Sequence, residues 1–417
     1  MKKAENTFYL LWDESHLWGV MLTRALRELD FSFEVIDSDK IKSGVLEHKI
    51  PAGLLVPGGW ARLKAQSLGA AGMEKIRSYI RSGGKYLGIC GGAGLALKST
   101  SQWPCLDICS WGRKPFKDRL PNFSGHISCL VKLKPGENER KLFLPVWWPS
   151  QFEPSSDSFR TIDVMARYLN PGEDFWSSDL NMSQLKPGDI KKWEDIYGIN
   201  LSPDFLSDEP CVIRGSFGKG EYILSYSHLE TPDSPQANQL LHSILNNWLE
   251  IPAQNNQDKT ISVWDLEKTA PGWDDEALIT AREGLDEIIS LGRNQFLLFW
   301  RTPWLLGWRR GIPGSPINFL YAMICSALDS KPDSGIREFW SSEKNDFQAE
   351  MEIFLNELKD YLSHERLAIA MTQSSPESSS DDNLQRQKQK LFGSFPGYGG
   401  LYGKLVHRLD RLVFKLI

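Results

Sequence analysis

The sequence predicts an α/β domain, a parallel sheet with helices on both faces, followed by a mostly helical C-terminal region. Three observations carry this. Up to Cys90, short apolar runs alternate with amphipathic stretches, the pattern of strands joined by crossover helices. One of those runs enters KYLGICGGAGLAL, residues 85–97, which reads as a strand, a one-residue turn and a helix start. Beyond residue 260 the apolar spacing becomes helical, as in Ala277, Ala281, Leu285, Ile288 and Ile289.

The elements follow in order. Phe8 to Trp12 reads as a buried strand, and Ser15 as the cap of a helix whose apolar side is Trp18, Val20, Met21, Leu22, Ala25 and Leu26. Phe31 to Ile36 is a second strand; Ala52 to Val56 is a third, stopped by Pro57-Gly58-Gly59. Met73 to Ser82 is a helix closed by Gly83-Gly84, and Tyr86 to Ile89 is the fourth strand, leading into Cys90. Ligands of such sheets bind beyond the carboxyl ends of the strands, so Pro57-Gly58-Gly59 and Cys90 belong to one edge. Residues 126–133, 143–148 and 160–168 are strands that extend or edge the sheet, with Trp147, Trp148 and Phe152 as packing or as a pocket wall. Residues 170–208 form a polar excursion with a short helix around Lys191 to Tyr197. A hairpin, Cys211 to Arg214 with Glu221 to Tyr226, turns at Phe217-Gly218-Lys219-Gly220. Ser227-His228-Leu229-Glu230-Thr231-Pro232 follows it directly, and a helix from Ser234 to Glu250 is capped by Ser234 with Pro235 in first position.

Composition narrows the function classes. The chain has 417 residues, enough for two or more domains, with 41% hydrophobic and 24% charged residues, as in ordinary globular protein. A net charge of -5 and no basic arm argue against nucleic-acid binding. Six spread cysteines do not form a secreted scaffold, and the apolar run at residues 8–12 is too short for a signal peptide, so the expected location is the cytoplasm. No apolar run reaches the ~20 residues that span a bilayer. Cys105 and Cys109 lack a second ligand pair, so neither a metal site nor a cofactor is expected.

Chemistry concentrates at the turn. A side chain on a strained strand-to-helix turn projects above the sheet edge, and Gly88, Gly92 and Gly94 supply the small neighbours that such a turn needs. A cysteine attacks as thiolate and needs a base, which a third group orients. His228 and Glu230, two apart just past a strand end, fit those roles. The amides of Gly58, Gly59 and Gly91 can hold an oxyanion or bind substrate, although an isolated Gly-Gly also serves as an ordinary tight turn.

Taken together, Gly88-Ile89-Cys90-Gly91-Gly92-Ala93-Gly94, Val56-Pro57-Gly58-Gly59 and His228-Leu229-Glu230 resemble the class I glutamine amidotransferase-like superfamily. Within it the stretches RSGGKYLGICGGAG and GEYILSYSHLETP look like the amidotransferase-like domain at the N-terminus of biotin–protein ligases. The resemblance covers residues 5–252 and implies a flavodoxin-like sheet. It also implies a Cys90-His228-Glu230 triad acting in acyl transfer or hydrolysis at a C–N bond of a small-molecule substrate. Glutaminases of this pattern carry Gln four residues after the nucleophile; Gly94 stands there, which argues against free glutamine. No adenylate-binding G-R-G-R-x-G loop is present, Gly307-Trp308-Arg309-Arg310-Gly311 being only superficially similar, so biotin ligation is not predicted. The competing reading is a non-catalytic ligand-binding or regulatory module using the same pocket.

After a polar boundary at residues 253–260, the region 260–370 is expected to be helical, with residues 373–389 a disordered linker. Residues 296–310, rich in Trp and Arg, read as a buried helix broken at Pro303, or as a membrane-interface or partner surface. Residues 401–417 form an amphipathic helix that is expected to dock on a membrane surface, on a protein partner or back on its own domain.

Overall fold

The computed structural model of the chain describes residues 6–100, 103–115, 122–133, 136–155, 162–251, 259–309, 311–372, 382–394 and 398–417. The chain divides into two compact units, Met1–Glu194 with Ile199–Ser262, and Asp195–Gly198 with Val263–Ile417.

In the first unit, β1 (Phe8–Leu11), α1 (Leu17–Glu28), β2 (Phe33–Ile36), α2 (Ser38–Lys42), α3 (Val45–His48), β3 (Leu54–Val56), α4 (Ala61–Arg81), β4 (Lys85–Ile89) and α5 (Gly91–Ala96) alternate as their apolar patterns require. β5 (Gly112–Arg113), β6 (Phe123–Val131), β7 (Arg140–Trp147), β8 (Phe152–Glu153), β9 (Asp163–Pro171), β10 (Trp176–Ser177) and β11 (Leu180–Asn181) come next. They are followed by α6 (Ile190–Tyr197), β12 (Pro210–Phe217), β13 (Gly220–Ser225) and α7 (Pro235–Trp248).

The main sheet runs β11-β10-β6-β9-β12-β13-β4-β3-β1-β2, with β7 paired to β6. Only β2-β1-β3-β4-β13 is parallel, in the flavodoxin-like order; the rest is antiparallel. The sheet is therefore mixed, where the alternating N-terminal half predicted a parallel one. Hairpin-linked strands can add to a parallel sheet edge without crossover helices, and β12 and β13 do so. Every residue of β1 and β3 is buried, since both faces are covered. Tyr9, Leu11, Leu54 and Val56 join Leu68, Ile76 and Ile80 of α4 in one core cluster. On the opposite face, Phe8 meets Phe31 edge-on at 5.8 Å, and Phe31 meets His242 of α7 at 5.4 Å.

Two helix starts differ from expectation. The residue before α1 is His16, with no side-chain cap, while the Ser15 hydroxyl turns to Leu11 O (3.2 Å) and accepts from Lys64 Nζ (2.5 Å). α4 begins at Ala61, well before Met73; Gly69, at φ 58° and ψ -177°, interrupts it and hides its first half from a periodic reading.

The second unit contains α8 (Glu276–Asn294), β14 (Leu298–Thr302), β15 (Leu305–Trp308), α9 (Gly314–Leu328), α10 (Ser334–Thr372), α11 (Asp382–Phe392) and α12 (Gly400–Leu416). Residues 298–308 are thus a β-hairpin and not a helix broken at Pro303. The proline falls in the turn, where it removes no ladder hydrogen bond, and Leu298 pairs with Trp308. The expected linker is ordered from residue 382, where α11 buries Leu384, Leu391 and Phe392; its residues 373–381 lie outside the described residues. Leu405, Leu409 and Leu412 of α12 are buried within this unit, and Arg408 binds Glu350 (3.0 Å), Asp346 (3.2 Å) and Glu343 of α10. The apolar stripe of α12 is therefore taken up by its own unit. Among the described residues, no helix is long and apolar enough to cross a membrane.

Candidate active site

At the end of β4 the chain must reverse direction within one residue to start α5, and Cys90 takes φ 50°, ψ -103° to do so. That conformation is costly for a residue with a Cβ and is held from both sides. The Cys90 amide donates to Ser225 O at the end of β13 (2.7 Å), and its carbonyl accepts from Gly94 N (2.9 Å). Gly92 N donates to Pro57 O (3.1 Å), and a Cβ on Gly92 would lie 1.9 Å from Val56 O. Only a bare α-carbon lets α5 approach β3 so closely.

The same closeness joins the two glycine motifs. A Cβ on Gly91 would lie 2.0 Å from Gly59 O, so the Pro57-Gly58-Gly59 turn and the elbow touch through backbone. Gly59, at φ 106°, leaves no room for a side chain, since its Cβ would meet Glu14 O at 1.9 Å. Among the described residues, neither the Gly59 nor the Gly91 amide donates a hydrogen bond. Gly58 admits two rings: its Cβ would meet Trp18 Cγ at 2.8 Å and His228 Cε1 at 3.1 Å.

His228 and Glu230 are both fully buried, and His228 Nδ1 donates to Glu230 Oε1 at 2.8 Å. Nε2 is also buried and holds no well-formed hydrogen bond; the Cys90 side chain is the other group acting on the ring. Burial favours the neutral ring, but the Glu230 carboxylate and Cys90 outweigh it and raise the pKa from 6.5 to about 10. The ring thus carries a proton at neutral pH. Cys90, His228 and Glu230 therefore come together at the carboxyl edge of the parallel strands, alongside Gly58, Gly59 and Gly91.

Several supporting residues carry no motif. Asn238 of α7 donates to Leu229 O (3.0 Å) and Thr231 O (2.9 Å), Trp147 Nε1 donates to Thr231 Oγ1 (2.9 Å), and Thr231 Oγ1 donates to His228 O (2.8 Å). This fixes the His-Leu-Glu loop from outside. Trp18 lies 4.3 Å from the His228 ring and packs edge-on against Trp148, which itself takes φ 55°. Phe152, by contrast, is core, 4.3 Å from Tyr226. Lys64, fully buried, donates to Asp13 O (2.6 Å) and braces the loop that presses on Gly59. In that loop, burial raises the Asp13 carboxyl although Ser38 and Lys64 oppose it. An apolar helix face hid Trp18, and polar helix positions hid Asn238 and Lys64.

Cys90 and Cys105 are half-buried. Cys109, Cys129, Cys211 and Cys325 are buried, and burial, with Asp107 adding to it, pushes Cys105 up to about 11. Cys129 and Cys325 are also raised, chiefly by burial, the latter to about 12. Among the described residues, no group of three or more His, Cys, Asp or Glu could hold a metal ion.

Comparison with known proteins adds the following. No curated protein matches the chain. A protein described as a GMP synthase subunit, from Thermoplasma acidophilum, is similar at 14% identity and TM-score 0.36, over 60% of this chain and 96% of that one. PurLQS from Thermotoga maritima is similar at 13% identity and TM-score 0.38, over 58% and 99%. A ThuA-like protein from Bacteroides uniformis is similar at 14% identity and TM-score 0.35, over 62% and 96%. In sequence, the segment that runs from α1 to the elbow, residues 19–101, matches the family described as biotin-protein ligase, N terminal.

Proposed function

We propose that the first unit is an amidotransferase-like module in which Cys90 attacks an acyl carbon bonded to nitrogen. Cys90 attacks as the thiolate whose proton already rests on His228 Nε2, the ring passes that proton to the leaving nitrogen, Glu230 orients the ring, and the amides of Gly59 and Gly91 receive the oxyanion. The observation that carries this is the buried His228–Glu230 hydrogen bond at 2.8 Å beside a cysteine held at φ 50°. A ring that keeps a proton up to pH of about 10 is suited to hold the one the thiol gives up.

The substrate is a small molecule other than free glutamine. Gly94 offers no side chain to such a ligand, and a Cβ there would press on Ala61 Cβ at 3.3 Å, so the position favours glycine. The same observation favours a second reading, a ligand-binding module without turnover.

One measurement separates the two. Iodoacetamide should modify Cys90 well before the five other cysteines, and a carboxamide or chloroketone analogue should leave a covalent adduct, by intact mass, on wild type but not on Cys90→Ser. Equal labelling of all six thiols would sink the nucleophile assignment. Rapid alkylation without any acyl adduct would leave the binding module.

A further inference from the structure

We propose a second acyl-transfer centre in the first unit, built from Ser234, His126 and Asp174, with hydrolysis of short carboxylic esters as its activity. It is separate in residues from the cysteine site and does not rest on the reading given above.

The geometry is that of a nucleophile, a base and an orienting carboxylate. Ser234 Oγ lies 2.7 Å from His126 Nε2, and His126 Nδ1 lies 2.7 Å from Asp174 Oδ2. The His126 amide donates to Asp174 Oδ1 at 3.1 Å, so the carboxylate is held by ring and backbone of the same residue. With Asp174 accepting at Nδ1, the ring carries its proton there, and Nε2 accepts from the Ser234 hydroxyl. Burial works against the Asp174 carboxylate, but the His126 bond outweighs it and holds its pKa below the usual range, so it is ionised at neutral pH.

The anomaly is at the helix start. Ser234 is the N-cap of α7, where a serine oxygen ordinarily accepts from the second or third helical amide. Here it makes no such bond, because the hydroxyl is turned to His126. Pro235 has no N–H, and among the described residues the amides of Gln236 and Ala237 find no acceptor. Gln236 is exposed and its amide is an unbonded donor next along the chain from a base-linked serine, the usual companion of an acyl-serine, while Ala237 is fully buried. His126 is partly exposed and Asp174 half exposed, whereas Ser234 is nearly covered, which admits only a short acyl group.

The cycle balances. Ser234 Oγ bonds to the ester carbon while its proton passes to His126 Nε2; the C–O bond breaks and the alkoxide leaves with that proton. Water then attacks the acyl-serine, its proton going to Nε2, and the Ser234 oxygen departs and takes that proton back. One ester and one water become one acid and one alcohol, without oxidation or reduction.

The test uses the full chain as Cys90→Ala, so that the thiol contributes nothing. A fluorophosphonate should phosphonylate Ser234 with loss of fluoride, read by peptide mass, and p-nitrophenyl acetate hydrolysis should fall on the order of a hundredfold in Ser234→Ala and in His126→Asn. Because Ser234 begins α7, the folding of each variant is checked by circular dichroism, and the adduct on the parent chain is read without any further mutation. An adduct elsewhere or none overturns the proposal, as does ester hydrolysis that is unchanged in a folded His126→Asn. A Ser234 adduct without Ser234-dependent turnover overturns the hydrolytic cycle.

Discussion

The two units manage strain and polarity differently. Among the described residues, every non-glycine residue at positive φ except Phe296 falls in the first unit, Cys90, Trp148, Glu14 and His16 among them. Buried polar side chains follow the same division, Asn318 and Glu365 being the only ones in the second unit among the described residues. That unit instead closes long amphipathic helices over leucines and aromatics and links them by ion pairs at partly exposed positions, such as Arg408 and Arg411 to Glu343. Strain and buried charge cost stability and persist where surrounding structure fixes them. Cys90, Trp148, Glu14 and His16 lie around the candidate site, whereas Asp30, Asp107, Ser178, Asp208 and Glu250 fall in turns elsewhere in the first unit, so only part of this strain marks a site.

Substitutions can break or sharpen that contrast. The largest effect is expected at the base: His228→Asn should slow acylation of Cys90 by on the order of 10²–10⁴, measured by intact-mass time courses. A change within twofold would reduce His228 to a structural role.

Next comes Glu230→Gln, which leaves a buried imidazolium without its counter-charge and should cost about 3–5 kcal/mol in urea unfolding at neutral pH. Because the folded ring's pKa is raised, the pair's stabilisation is full below the ordinary value of 6.5 and is lost as pH rises through about 10. The gap between wild type and variant should therefore narrow as pH rises from about 6.5 to about 10; a constant gap across that range would contradict the ion pair.

Gly92→Ala, whose Cβ would sit 1.9 Å from Val56 O, should cost about 3 kcal/mol by forcing α5 off β3, and should lower Cys90 reactivity with it. The smallest effect belongs to the second unit. Arg408→Ala should cost about 1 kcal/mol, diminishing with added salt, and leave Cys90 alkylation unaltered.

Much of the candidate site is legible in the chain because it is local. Gly88 to Gly94 writes its own turn, and His228 to Glu230 places base and carboxylate within one loop. What supports them is not local. Trp18 meets His228 only once α1 comes up against Gly58 in the turn after β3, and Asn238 reaches Leu229 and Thr231 only once α7 lies along the sheet. The hairpin at residues 298–308 was hidden for the opposite reason, since its apolar run has a length and composition that fit helix or strand alike.

By itself the sequence determined the parallel strands, the elbow at Cys90 and the order of Gly58-Gly59, Cys90 and His228-Leu229-Glu230, because each depends on residue types within a few positions. Tertiary structure decided the antiparallel half of the sheet, the seating of α12 in its own unit, and the meeting of Ser234 with His126. Those depend on partners far apart in sequence, where no local propensity acts and only packing can choose.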